Sequence, residues 1–365
     1  MSEPLSIVIL GLSLSSAWGN GHATTYRALV AGLAADGHRV LFLERDVPWY
    51  AAHRDFTSSD DCRLAFYDGL DDLRRFLPEI RSANAVIVGS YVPEGREVID
   101  LVLGARPALA CFYDIDTPVT LAGLDAGETE FLAPAQIPPL DLYFSFAGGR
   151  SLRRLEEDFG ARRALALYCS VDPARYASTG EAPVWDLGYL GTYSPDRQPK
   201  LEELMFEPAR RCPQMRFIVA GARYPETTDW PANVAHVEHL APEAHPSFYS
   251  RQRFTLNLTR ADMVASGYAP SVRLFEAAAC GTPVISDRWD GLDTLLPEDA
   301  IFTAASADEV VAVLSEVTEA RRRAVADAAR TRILAGHTGT ARARELVTHL
   351  RAAMPAGTAL RAARA

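Results

Sequence analysis

Residues 267–292 read GYAPSVRLFEAAACGTPVISDRWDGL. Ser271 is a good helix N-cap directly after Pro270, a helix runs through Phe275 and Ala278, and Cys280-Gly281 ends it before a short buried strand, Val284 to Ser286. A loop is therefore aimed at the start of a helix. Backbone N–H groups there, at the positive end of the helix dipole, suit a diphosphate, and Arg273 in the first turn adds a fixed cation with a planar donor fork. Glu276, one turn on, is an acceptor-only carboxylate that can reach a pair of vicinal hydroxyls. The plainer readings make Glu276 a surface carboxylate and Arg273 its partner three residues away. An ion pair and a ligand grip are compatible.

The same alternation extends outward on both sides. Upstream lie Leu187 to Leu190, the polar loop Gly191 to Asp196, a helix from about Pro199 to Arg211, then Arg216 to Ala220 and Phe254 to Leu258. An earlier series begins with Ile7 to Leu10, continues through the Gly/Ser-rich loop Gly11 to Gly21, and enters a helix with Tyr26, Leu29, Val30 and Leu33 at helical spacing. Val40 to Leu43, Ala85 to Val88, Ala108 to Tyr113 and Leu142 to Phe146 follow as β-like runs. Strands alternating with helices predict the α/β class, with parallel sheets covered on both faces.

At 365 residues the chain is long for one core, so two domains facing a cleft are expected. The pattern restarts after Val171, which gives an N-terminal domain over 1–171 and a linker over 172–184, where Pro173, Gly180 and Pro183 interrupt any apolar period. A second domain is read over 185–335. The last segment, 336–365, is read as a helix returning to the first domain, followed by a tail.

Composition excludes several classes. Hydrophobic residues at 48% and charged residues at 23% describe a packed globular protein, and a net charge of −10 argues against broad nucleic-acid binding. The run Ile7 to Leu12 is too short for a signal peptide or membrane span, and the five scattered cysteines fit neither a disulfide framework nor a zinc site. A cytoplasmic location is expected. After Glu319 the chain turns basic, with Arg321, Arg322, Arg323, Arg330, Arg332, Arg342, Arg344, Arg351, Arg361 and Arg364. These form either the solvated faces of closing helices or a surface for peripheral contact with anionic headgroups or an anionic acceptor.

Two loops carry the remaining candidate chemistry. Gly191 to Arg197 follows an apolar strand and precedes a helix, which puts it at the sheet edge where open α/β folds bind ligands. Arg197 and Lys200 there can neutralise a leaving diphosphate; the plain alternative is a βα turn with a solvated Arg. In the first domain, Ser13 to His22 (SLSSAWGNGH) lacks the spacing of a dinucleotide fingerprint. His22, at the helix start, is either a general base toward an acceptor hydroxyl or a helix-capping residue. Asp114 and Asp116, in CFYDIDTPV, are its candidate orienting partners, although Asp116 before Thr117-Pro118 also suits a turn. His236, His239 and His245 lack metal-ligand spacing, so no metal and no bound cofactor are expected.

The run FEAAACGTPVISD, with Arg273 ahead of it and Asp290 to Leu292 behind, resembles the donor-binding helix of the GT-B glycosyltransferases. Within them it is most similar to the spore-maturation CgeB-type group, which also has a segment like LGYLGTYSPDRQPKLEEL. The resemblance implies two Rossmann-like domains and sugar transfer from a nucleoside diphosphate sugar to an acceptor. By position, Glu276 would bind the donor ribose and Arg273 with Ser271 the diphosphate. Thr192, Tyr193 and Arg197 would line the phosphate side, and His239 and Leu240 the base. Ser16, Trp18, Gly19, Asn20 and Gly21 would face the acceptor, and some inverting relatives place a His where His22 stands. Retaining members commonly show two glutamates separated by seven residues; Tyr268, kept on the donor side, stands where the first would fall. A nucleotide-sugar epimerase or phosphorylase, and a noncatalytic nucleotide-sugar-binding protein, are the alternatives on the same fold.

Overall fold

A computed structural model describes residues 3–17 and 21–354. These divide into two units. The first comprises residues up to Ser170 together with those from Gly339 onward, and the second runs from Val171 to Thr338.

The first unit is built on a seven-stranded sheet. In chain order its strands are β1 (Ser6–Gly11), β2 (Arg39–Arg45), β3 (Arg63–Tyr67), β4 (Ala85–Gly89), β5 (Ala110–Asp114), β6 (Leu142–Ser145) and β7 (Ala164–Ala166), arranged β3-β2-β1-β4-β5-β6-β7. Every pairing is parallel. Helices cover both faces, which is why β1, β4 and β5 are buried on both sides and read as continuous apolar runs. One face packs on Val98, Ile99 and Val102 of the helix Gly95–Ala105. The other packs on Tyr26, Leu29, Val30 and Leu33 of the helix His22–Ala35 and on Leu346, Val347 and Leu350 of the last helix, Gly339–Ala353.

That last helix is joined to the first unit by a close crossing. A Cβ on Gly32 would stand 2.5 Å from the Gly339 carbonyl oxygen, and one on Gly339 only 2.2 Å from that of Ala28. Only glycines allow such backbone contact. The expected return of the C-terminal helix to the first domain is therefore made through this contact. Arg344 adds an ion pair to Asp36 at 2.9 Å.

The second unit has six strands, β8 (Trp185–Leu190), β9 (Phe217–Ala220), β10 (Val234–Val237), β11 (Gln252–Asn257), β12 (Val284–Ser286) and β13 (Phe302–Thr303), arranged β10-β9-β8-β11-β12-β13 and again all parallel. The helix expected near Pro199 to Arg211 forms as Gln198–Arg211 with a π-helical stretch at Glu202–Phe206. Pro208 explains the widening: it has no N–H to donate, and its ring crowds the carbonyl a turn earlier, so the preceding turn opens. Tyr176, inside the segment read as a linker, is buried.

The C-terminal arginines do not form one basic face. Arg322 and Arg323 share Glu319, each at 2.7 Å, while Arg330 donates to Ala279 and Arg332 to Leu295. Arg361 and Arg364 lie outside the described residues. Among the described residues no helix is long and apolar enough to cross a membrane.

Gly339→Ala is expected to destabilise the chain by about 1–3 kcal/mol, the usual cost of overpacking. A urea titration checks this, and an unchanged midpoint would contradict the close crossing.

Candidate functional site

In the second sheet the strand order reverses between β8 and β11, and the crevice beyond their carboxyl ends is where open α/β sheets take ligands. The helix Val272–Ala279 starts there, with the Ser271 hydroxyl accepting the Arg273 N–H at 3.4 Å as N-cap. Leu274, Phe275 and Ala277 to Ala279 are buried, so packing fixes the helix axis and hence where its first turn points.

Arg273 is only 8% exposed. Its Nε donates to the Leu190 carbonyl at the end of β8 (2.7 Å), and its Nη1 donates to Asn257 Oδ1 at the end of β11 (2.8 Å). The guanidinium lies 4.9 Å from the centre of the Tyr189 ring. One cation thus spans the two strands that flank the reversal. It makes no ion pair with Glu276, so the pairing three residues apart considered from sequence is not the one adopted.

Arg197 joins it. Its Nη2 donates to the Thr192 carbonyl at 2.7 Å, while its buried Nε has no hydrogen-bond partner. Burial lowers its pKa, and the charges of Arg273 and Arg260 lower it further. Among the described residues none of these three arginines forms an ion pair with a carboxylate. Lys200 behaves otherwise: its ammonium is taken by buried Asp287, which also accepts from the Thr259 hydroxyl at 2.8 Å. The cation free to meet a ligand in this loop is therefore Arg197, and Lys200 is already neutralised.

Glu276, 9% exposed, accepts from the Tyr249 hydroxyl at 3.0 Å, and His245 Nδ1 lies 3.9 Å from the same oxygen. Burial raises its pKa; His245, Tyr176, Tyr249 and Arg273 work in the opposite direction. Tyr268 has φ 52° and donates its N–H to the Asp290 carbonyl at 2.6 Å. Its ring covers Gly291, where a Cβ would fall 2.3 Å from Cδ1. Tyr193 packs edge-on against Tyr224 with ring centres 5.6 Å apart. His239 and Leu240 follow β10, which is two strands from β8.

In the first sheet the order reverses between β1 and β4. The loop after β1 is held by the fully buried carboxylate of Glu44, which accepts from the N–H groups of Leu14 (2.7 Å) and Ser15 (2.8 Å) and from the hydroxyls of Ser15 (2.6 Å) and Ser13 (3.2 Å). Ser16 donates to the His53 carbonyl at 2.8 Å, and Gly21 caps the helix without a side chain. Trp18, Gly19 and Asn20 lie outside the described residues.

His22 is 8% exposed, its Nδ1 has no hydrogen-bond partner, and burial lowers its pKa to about 4. Asp114 does not orient it. One carboxylate oxygen of Asp114 accepts from Tyr143 (2.7 Å) and the other from Thr120 (2.8 Å). Burial lifts the Asp114 pKa to about 6, with Asp116 adding to the rise. Asp116 approaches His22 by way of Tyr91, whose ring meets the imidazole edge-on at 5.6 Å and whose hydroxyl lies 3.5 Å from the Asp116 carboxylate. Among the described residues no hydrogen bond joins His22 to Asp114, whose carboxylate instead fixes β6 and the helix Thr117–Ala126.

Sequence reading missed Asn257, Arg260, Asp287, Tyr249 and Glu44. Asn257 and Arg260 had a signal, since one ends β11 and the other follows it, as Thr192 to Arg197 follow β8. Glu44 and Tyr249 had none, because one ends an apolar strand and the other lies in a short helix far along the chain from its partner. Among the described residues no group of three or more His, Cys, Asp and Glu side chains could hold a metal ion.

Residues 197–348 match a family model described as glycosyl transferase-like. No match was found among curated protein sequences. Solved structures resemble the whole chain at low identity. Sucrose-phosphate synthase from Thermosynechococcus elongatus is 14% identical over 95% of this chain and 98% of its own, with a TM-score of 0.66. HepE from Anabaena, in complex with UDP and glucose, is 12% identical over 95% and 100%, with a TM-score of 0.65. AviGT4, a glycosyltransferase involved in avilamycin A biosynthesis, is 15% identical over 96% and 98%, with a TM-score of 0.63. The fold is thus that of the GT-B glycosyltransferases, and residues 197–348 match the glycosyl transferase-like family.

Proposed function

We propose that the chain transfers a sugar from a nucleoside diphosphate sugar to an acceptor, with the donor held by the second unit. The observation that carries this reading is the cluster of Arg273, Arg197 and Arg260 at the reversal between β8 and β11. Three like charges gathered with no carboxylate in ion-pair contact, one with a buried N–H left unmet, are costly in the unliganded chain. An anion repays that cost, and the N-terminus of the helix Val272–Ala279 adds dipole and backbone donors for the same charge. Glu276, one turn into that helix, is then placed for the pentose hydroxyls. Growth of negative charge on a departing diphosphate is what such fixed donors stabilise best.

Because arginines and a helix end supply this stabilisation, the reaction needs no divalent metal. His22, neutral at pH 7, serves as a hydrogen-bond partner for a sugar or acceptor hydroxyl; a group with so low a proton affinity is a weak general base. Ser16 and Gly21 belong to the same acceptor-side loop. Asp114 and Asp116 act on this loop's surroundings through Tyr143, Thr120 and Tyr91. The closer kinship to the CgeB-type group and a cytoplasmic setting belong to this proposal, the latter supported by five free cysteines, four of them buried.

Incubation with a panel of nucleotide sugars and candidate acceptors tests the reading directly. Release of nucleoside diphosphate that depends on an acceptor supports it. An altered sugar formed from donor alone supports an epimerase instead. Turnover is expected to survive excess EDTA, and a loss restored by Mg²⁺ would contradict the metal-free assignment. Arg197→Ala is expected to weaken UDP binding about 10- to 100-fold in calorimetric titration while leaving the melting temperature of the free protein unchanged or higher, since the substitution removes both repulsion and an unmet donor. Unchanged affinity would contradict the phosphate role.

His22 also fixes a pH dependence. Between its folded pKa near 4 and its ordinary 6.5, the unfolded chain binds a proton that the folded chain refuses, so stability falls as pH drops through that window. His22→Gln removes this loss, which amounts to about 3 kcal/mol at its fullest. The difference between the two chains isolates His22 from Asp114, whose raised pKa works in the opposite sense. Parallel urea curves for the two chains across pH 4–7 would contradict the burial of a neutral ring.

A further inference from the structure

Glu276 is deeply buried for a group that must bind a ligand as a carboxylate, and its charge depends on its neighbours. The most direct of these is Tyr249, fully buried in the helix His245–Ser250, whose hydroxyl donates to Glu276 Oε2 at 3.0 Å. The backbone of Tyr249 is held separately, because its carbonyl accepts from the Thr282 hydroxyl at 2.7 Å. A second phenol, buried Tyr176, lies with its hydroxyl 3.4 Å from His245 Nδ1, and that nitrogen lies 3.9 Å from Glu276 Oε2. Tyr176 and the helix His245–Ser250, two separate stretches of chain, thus converge on one carboxylate.

We propose that Tyr249 is a positioning residue that sets the sugar specificity of the nucleotide site, by holding one oxygen of Glu276 and so turning the remaining lone pairs of the carboxylate toward a cis-diol. The inference rests on the assignment of Glu276 to the pentose and adds what makes that carboxylate selective. An unanchored carboxylate rotates about its terminal torsion, accepts hydrogen bonds over a wide arc and spends rotamer entropy on each of them. A carboxylate fixed by a phenol presents one edge. A ribose offers that edge two hydroxyls and a 2′-deoxyribose offers one, so the pentose lacking a hydroxyl leaves a buried lone pair without a donor. Burial and the neighbouring Glu276 charge raise the Tyr249 pKa well above its ordinary value, so the phenol remains a donor throughout the working range.

The experiment measures the affinities of UDP and 2′-deoxy-UDP by calorimetric titration for the wild type, Tyr249→Phe and Glu276→Gln, with GDP and ADP and their 2′-deoxy forms as the alternative probes if UDP does not bind. The wild type is expected to prefer the ribonucleotide at least tenfold. Tyr249→Phe keeps the ring and its packing; it is expected to retain binding while the ribo-to-deoxyribo ratio falls about fivefold. Glu276→Gln is expected to bring the ratio close to one. If the ratio collapses in Glu276→Gln but stays at the wild-type value in Tyr249→Phe, the positioning role is overturned and the pentose assignment stands. If Glu276→Gln keeps the preference, or the wild type has none, the pentose assignment fails and this inference fails with it. Should Tyr249→Phe not yield folded protein, Tyr249→Met, which also lacks the hydroxyl, replaces it with the same expected direction, and an unmoved ratio there overturns the proposal.

Discussion

The placement of the Arg273 guanidinium is the constraint on which the second unit depends. It binds the end of β8 through the Leu190 carbonyl and the end of β11 through Asn257, so two strands that are neighbours in the sheet but far apart in sequence are tied at the point where the strand order reverses. A cation in this position has lost most of its water, and the Tyr189 ring beneath it replaces only part of that solvation. The protein accepts the cost at the one place in an open α/β sheet where a ligand naturally sits. Arg197 and Arg260 deepen it. A neutral, well-satisfied crevice would be more stable and would bind no anion.

Around this point the sequence uses ordinary means. Phe275, Leu274 and the alanines of the helix Val272–Ala279 bury its apolar side against β11 and β12, and each large side chain contributes about 1.5–3 kcal/mol. That packing aims a first turn carrying Ser271 and Arg273. Gly267, Tyr268 and Gly291 interlock the loops on either side through positive φ angles that only Gly291 and Gly267 adopt without strain. The first unit follows a parallel logic with opposite charge, since buried Glu44 gathers the N–H groups of Leu14 and Ser15 and the hydroxyls of Ser13 and Ser15 beyond the end of β1.

The central strands were legible in the sequence because they are buried on both faces. Ile7 to Leu10, Ala85 to Val88, Leu187 to Leu190 and Val284 to Ser286 are unbroken apolar runs. The four strands that escaped notice, β3, β7, β10 and β13, are the outer strands of the two sheets. They are short and half exposed: VAHV is interrupted by a histidine, and the brief LAFY run of β3 is buried fully only at its last residue. The helix Val272–Ala279 was legible for a similar reason: Ser-x-Arg, an apolar stripe and Cys-Gly are local features. The His22–Asp114 pairing was not, because letters alone do not say that Tyr143 and Thr120 reach Asp114 first. His239 and Leu240 were placed at the base by resemblance alone, with no local pattern to mark them. The role of Tyr249 could not be seen either, as it lies 27 residues before its partner.

The central claim is that the reversal point of the second sheet grips a nucleoside diphosphate. A crystal structure of the protein soaked with UDP or GDP tests it most directly. The account predicts phosphate oxygens within hydrogen-bond distance of Arg197, Arg273 and the first N–H groups of the helix Val272–Ala279, with the pentose hydroxyls at Glu276. A nucleotide bound elsewhere on the molecule, with those arginines untouched, would contradict it.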